Sequence, residues 1–86
     1  VELTLFPNPV DDELTVQFEN MTRQDPEILI FDLGGRMIHC REVDAGAEKV
    51  VLMLNRWSIP NGVYLLQLRT GEEIVTRRFV RQSSAR

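Results

Sequence analysis

The chain has 86 residues, 43% of them hydrophobic, which is enough for one core and too many for a disordered tail. No apolar run approaches the roughly 18 residues of a membrane-spanning helix, so no segment reads as one. Ten basic against thirteen acidic residues leave a net charge of −3; residues 77–86 carry +4 with no acid, and residues 1–76 carry −7. An acidic body excludes general nucleic-acid binding, which needs a broad basic face.

Taken in chain order, the sequence is a succession of short strands separated by turn chemistry. It opens at Val1 with no basic or apolar leader and reads as a piece of a longer protein. Leu3 and Leu5 alternate with polar residues until Pro7-Asn8-Pro9 forms a stiff corner, because proline fixes φ and holds the residue before it extended. Asp11 and Asp12 continue that turn. From Glu13 to Glu19, Leu14, Val16 and Phe18 share one face, which predicts a half-buried strand. A polar loop spans 20–26. The nearly continuous apolar run Ile28 to Leu33 predicts a strand covered on both faces.

Gly34-Gly35 predicts a two-residue hairpin turn, returning into a strand from Arg36 to Val43 with Ile38 and Cys40 inward. After a turn at 44–47, Val50, Leu52 and Leu54 mark the core face of a fifth strand, Lys49 to Asn55. Pro60, Asn61 and Gly62 then lead into Val63 to Thr70, with Tyr64, Leu66 and Leu68 aligned. The last strand, Glu73 to Arg81, alternates imperfectly: Ile74, Thr76 and Arg78 share a face, and Val75 and Phe79 sit opposite. It reads as an edge strand or a bulge. Seven short strands without helical periodicity define an all-β fold, an immunoglobulin-like β-sandwich of about seven antiparallel strands.

The inventory offers no catalytic device. The single histidine, His39, is a surface strand residue beside Cys40, and adjacent strand residues point to opposite faces, so the two make no nucleophile–base pair. Cys40 has no partner thiol and reads as a small buried apolar residue. The acids Asp11, Asp12 and Glu13 lack the spacing and glycine of a calcium loop and read as turn formers. Trp57 and Tyr64 could line a sugar-stacking surface, but aromatics near a turn more often serve the core. Neither enzyme activity nor a cofactor nor a metal is expected.

Five segments, in order, resemble the type A C-terminal sorting domain of the type IX secretion system of Bacteroidetes. They are Phe6-Pro7-Asn8-Pro9-Val10; Asp12-Glu13-Leu14-Thr15-Val16; Ile30-Phe31-Asp32-Leu33-Gly34-Gly35-Arg36; Ile59-Pro60-Asn61-Gly62-Val63-Tyr64-Leu65-Leu66; and Thr76-Arg77-Arg78-Phe79-Val80-Arg81-Gln82. The chain departs from the family in carrying Arg77 and Arg78 where lysine is common, and in running from Ser83 to Arg86 beyond the usual end. The resemblance implies a domain over 1–82 with a polar tail over 83–86. It implies a sorting signal that takes its parent protein from the periplasm through the outer-membrane translocon to the cell surface or medium. It also implies partners in that machinery, including a shuttle and a sortase-like protease that removes the domain.

Within that reading, Pro7, Asn8, Pro9, Gly35, Arg36, Pro60, Gly62 and Tyr64 are expected to fix backbone geometry. Arg77, Arg78, Phe79, Val80 and Arg81 are expected to form the recognition element, with unpaired strand-edge donors and a charge that steers a partner. A carbohydrate-binding or adhesion module, retained on a surface protein and using Trp57, is the alternative. An isolated sandwich with an exposed edge is also expected to dimerise or swap strands.

Overall fold

In the computed structural model, residues 2–19, 25–44, 46–57, 59–71 and 73–83 are described. Residues 20–24 of the polar loop expected over 20–26 and residues 84–86 of the expected tail lie outside them, as do Val1, Ala45, Ser58 and Glu72. Period-two alternation produces seven strands: β1 (Glu2–Phe6), β2 (Glu13–Glu19), β3 (Glu27–Asp32), β4 (Met37–Glu42), β5 (Lys49–Met53), β6 (Gly62–Thr70) and β7 (Glu73–Arg81). A 3₁₀ turn, Leu54–Arg56, follows β5 and keeps Leu54 fully buried.

All named strand pairs are antiparallel, and they form two sheets in the orders β1-β2-β5 and β4-β3-β6-β7. The sheets close on a shared core. Leu14, Val16, Phe18, Val50 and Leu52 meet Ile28, Ile30, Tyr64, Leu66, Leu68 and Phe79, all with less than a tenth of their surface exposed. The core positions expected on β2, β5 and β6 all face inward. Tyr64 adds a corner bond: its hydroxyl donates to the Pro60 carbonyl at 2.5 Å, at the start of β6. Such a bond is a recurrent feature of immunoglobulin-like sandwiches. The fold is therefore the expected all-β, immunoglobulin-like sandwich.

Three local expectations are corrected. The β3–β4 turn spans three residues, not two. Gly35 N–H donates to Asp32 O at 3.1 Å, Asp32 N–H donates to Arg36 O at 3.0 Å, and Gly35 takes φ +90°. This is a tight turn followed by a left-handed glycine, a common three-residue hairpin loop. Arg36 is fixed to it, its amide donating to Asp32 Oδ1 at 2.9 Å and its guanidinium lying 3.7 Å from Oδ2. Leu33 thus sits at the hairpin tip, 66% exposed, and the apolar run does not end as a doubly covered strand.

Cys40 is exposed rather than buried. The register shifts between Ile30 and Phe31, pairing Ile30 with His39 but Phe31 with Met37. Ile38 is therefore the extra residue of a bulge, which places His39 opposite inward-facing Ile30 and Cys40 opposite outward-facing Leu29. His39 is accordingly half-buried, stacked on Trp57 with ring centroids 4.0 Å apart. Of the two readings of β7 the edge strand holds and the bulge does not, since its pairing with β6 runs unbroken from Gly62↔Arg81 to Thr70↔Glu73.

Candidate functional site

Strand β7 divides the arginines that lie together in sequence. Its pairing with β6 places Val75, Arg77, Phe79 and Arg81 toward the other sheet and Ile74, Thr76, Arg78 and Val80 on the outer face. Phe79 is fully buried and stacks on Tyr64 with centroids 5.7 Å apart. Arg77 and Arg78 are exposed, and Val80 is half-buried. Arg77 Nη1 donates to the Thr76 carbonyl at 3.0 Å.

Arg81 is buried, and its side chain works as a clamp. Nε donates to Asp11 O at 3.0 Å, Nη1 donates to Ile59 O, and Nη2 lies 3.6 Å from Asp12 Oδ1. A buried guanidinium is tolerable when each donor finds an oxygen and a carboxylate offsets the charge. The acids at 11 and 12, expected as turn formers, thus also hold the last residue of the sheet.

The proline corner completes this arrangement. Both proline bonds, Phe6–Pro7 and Asn8–Pro9, are cis. The corner runs alongside the outer edge of β7, with Val10 and Arg81 in a parallel bridge. Val10 N–H donates to Val80 O and Gln82 N–H to Val10 O, both at 2.8 Å, while Val80 N–H donates to Asn8 Oδ1 at 3.0 Å. The unpaired edge donor expected at Val80 is therefore occupied. The next outward-facing positions on the same edge, Arg78, Thr76 and Ile74, extend beyond the reach of the corner.

The loop before β6 contributes from the other side. Besides the Ile59 carbonyl held by Arg81 and the Pro60 carbonyl held by Tyr64, Asn61 Oδ1 accepts from Ser83 N–H at 2.9 Å. Gly62 takes φ +155°, a value that favours glycine over residues with a Cβ. Because Asp32 pairs with Tyr64, and Tyr64 with Phe79, the Gly35–Arg36 hairpin lies at this same end. Corner, hairpin, pre-β6 loop and C-terminal strand end, far apart in sequence, thus converge at one end of the sandwich.

Sequence reasoning missed the roles of Asp11, Asp12, Ile59, Asn61 and Ser83. One signal was available: Arg81 is in phase with inward-facing Phe79, so it points toward the core rather than out with Arg78.

A cleft of about 290 Å³ opens between β4 and the end of β5, lined by His39, Arg41, Val51, Met53, Arg56 and Trp57 among others. Partial burial, and then the positive charge of Arg41, hold the His39 pKa below its ordinary value of 6.5. Trp57 is half-buried, packs against the core and stacks against His39, so it does not offer the free face of a sugar platform.

A two-sheet sandwich that ties its C-terminal strand to an N-terminal corner defines a small module built to hold that strand in one geometry. Comparison with family models places it further: the chain belongs to the secretion-system C-terminal sorting domain family, matched over residues 4–82, the sorting domains of type IX secretion. No curated protein matches the chain. Family membership makes it a C-terminal secretion sorting signal, one that engages the type IX machinery for export of its parent protein to the cell surface or medium.

Proposed function

We propose that the domain, residues 1–82 with a polar tail at 83–86, is read by the outer-membrane translocon and its shuttle after the parent protein reaches the periplasm. A sortase-like protease then removes it. The element that is read is the exposed pair Arg77 and Arg78 on β7. Phe79, Val80 and Arg81 serve the same element from beneath, as core anchor, corner-paired backbone and clamp.

One observation carries this reading. β7 is an edge strand pinned at Arg81, with outward backbone positions at Ile74, Thr76 and Arg78 that no neighbouring strand pairs with among the described residues. Such an edge accepts an added strand, and two guanidiniums beside it favour an acidic partner segment. Arg77 now caps the Thr76 carbonyl, so an arriving strand exchanges that bond for its own.

The test fuses residues 1–86 to a periplasmic reporter in a host that has the machinery. Arg77 and Arg78 are replaced together by alanine, with Phe79 left in place because it is core. The reporter is expected to accumulate in the periplasm while the purified domain keeps its thermal midpoint. Delivery at the normal level would overturn the reading.

A further inference from the structure

The outer face of the four-stranded sheet carries an apolar row that the fold leaves open. Register sets Met37, Phe31, Leu65 and Arg78 side by side across β4, β3, β6 and β7. The next row toward the clamped end holds Val63 and Val80. Met37 is 53% exposed, and Phe31, Leu65, Val63 and Val80 are each half-buried. Away from this end the face turns polar. Cys40, Gln67 and Thr76 flank buried Leu29, and Glu42, Glu27 and Arg69 follow in the row beyond, with Ile74, 58% exposed, standing apart at its β7 end. The outer face of the other sheet differs: there Thr15 separates Phe6 from Val51, 43% and 41% exposed, and the next row is Thr4, Gln17 and Lys49, so the apolar residues do not adjoin. A contiguous apolar row rimmed by charge marks a contact surface, whereas a scattered apolar residue does not.

The charge pattern selects the occupant. Arg78 ends the row, and among the described residues it makes no ion pair, whereas Arg36 at the same end is already held by Asp32. A carboxylate placed over Arg78 is attracted there and repelled two rows away by Glu27 and Glu42. An anionic lipid surface would meet those same glutamates, with too few cations to hold it. A protein segment of limited width suits both features.

We propose that this row is a docking surface for a component of the secretion machinery, one that presents apolar side chains from a flat strand or loop with an Asp or Glu over Arg78. The proposal rests on the sorting function above. It locates part of the recognition on the sheet's outer face, through Met37, Phe31 and Leu65, and not on the strand edge alone. Arg78 belongs to both, since its backbone lies on the open edge and its side chain ends the row.

Two arms test it in full-length cargo within a host that has the machinery. In the first, a photoactivatable side chain replaces Met37 or, as control, Val51. The Met37 probe is expected to give an adduct with a machinery component that is lost on Arg78→Glu, and the Val51 probe none. An adduct only with a second copy of the cargo would overturn the proposal, making the row a self-interface.

In the second arm, Met37→Glu with Leu65→Thr is expected to lower surface delivery by about tenfold or more. The purified domain should keep its thermal midpoint, and Val51→Glu cargo should be delivered normally. Should the double variant fail to fold, Met37→Glu alone carries the test, because that side chain is already more than half in water. Normal delivery of a folded Met37→Glu variant, with the Arg77/Arg78 variant still blocked, overturns the docking surface and leaves the sorting reading intact. Normal delivery of both overturns both.

Discussion

The Arg81 side chain is 10% exposed, and its guanidinium joins Asp11, Asp12 and Ile59. Arg77 points to the same side of β7 yet is exposed, because the 7–12 corner and the 59–62 loop close over the strand end and not over its middle. Along the sequence Arg77, Arg78 and Arg81 look like one basic cluster. Period two separates Arg78, but only contacts about 70 and 22 residues away in sequence separate Arg81 from Arg77. That is why the exposure of Arg78 was legible and the clamp was not. Arg81→Ala should leave two loop carbonyls without their donor and the corner without its anchor. A loss of about 2–3 kcal/mol is expected. In a domain of this size each kcal/mol lowers the melting temperature by about 4–8 °C, so thermal denaturation checks it directly. Arg81→Lys should recover only part of the loss, since one ammonium cannot span the three oxygens a planar guanidinium reaches. Arg77→Ala should stay within about 0.5 kcal/mol of the parent.

Strand β7 has two kinds of edge along its length. At Val80 and Gln82 the outward amides donate to Asn8 and Val10, while the outward amides of Ile74, Thr76 and Arg78 meet no strand among the described residues. Amide hydrogen exchange followed by NMR should therefore alternate. Slow exchange is expected at Val75, Arg77 and Phe79, which face β6, and at Val80 and Gln82, with fast exchange at Ile74, Thr76 and Arg78. Asn8→Ala should speed exchange at Val80 and leave Phe79 slow. Uniform protection along the strand would mean that something else covers the edge. The sequence made the edge assignment legible, because alternation weakens where one side of a strand lacks a neighbour. It made the proline corner legible as a rigid feature, but not its destination, since a parallel bridge between Val10 and Arg81 has no local signature. The β4 bulge was hidden for a related reason. Ile38 and Cys40 fit a plain alternation, and only the cross-strand register shows the extra residue that turns Cys40 outward.

At the scale of the whole molecule, segments from the beginning, middle and end of the chain meet at one end, and the exposed arginines are set in place by residues that are themselves buried. On the proposed reading the signal is thereby tied to the folded state: a chain in which the corner and loop have released Arg81 still contains Arg77 and Arg78, but not on a pinned edge strand. Two classes of variant should then fail in distinguishable ways. Arg81→Ala cargo should fail through stability, with surface delivery falling as growth temperature approaches the variant's melting temperature and recovering on cooling. The Arg77/Arg78 double alanine variant should fail at every temperature while remaining folded, because it removes what is read and not what holds it. The check measures surface and periplasmic reporter at several growth temperatures, alongside the melting curve of each purified domain. If Arg81→Ala cargo were delivered normally at a temperature where its domain is largely unfolded, the signal would be a linear sequence and the clamp would serve stability alone. If both variants shared one temperature dependence, the basic pair would be acting through the fold. A folded-state signal also suits export, because a marginal sandwich presents its pinned strand only after the corner, the loop and the last strand have all assembled.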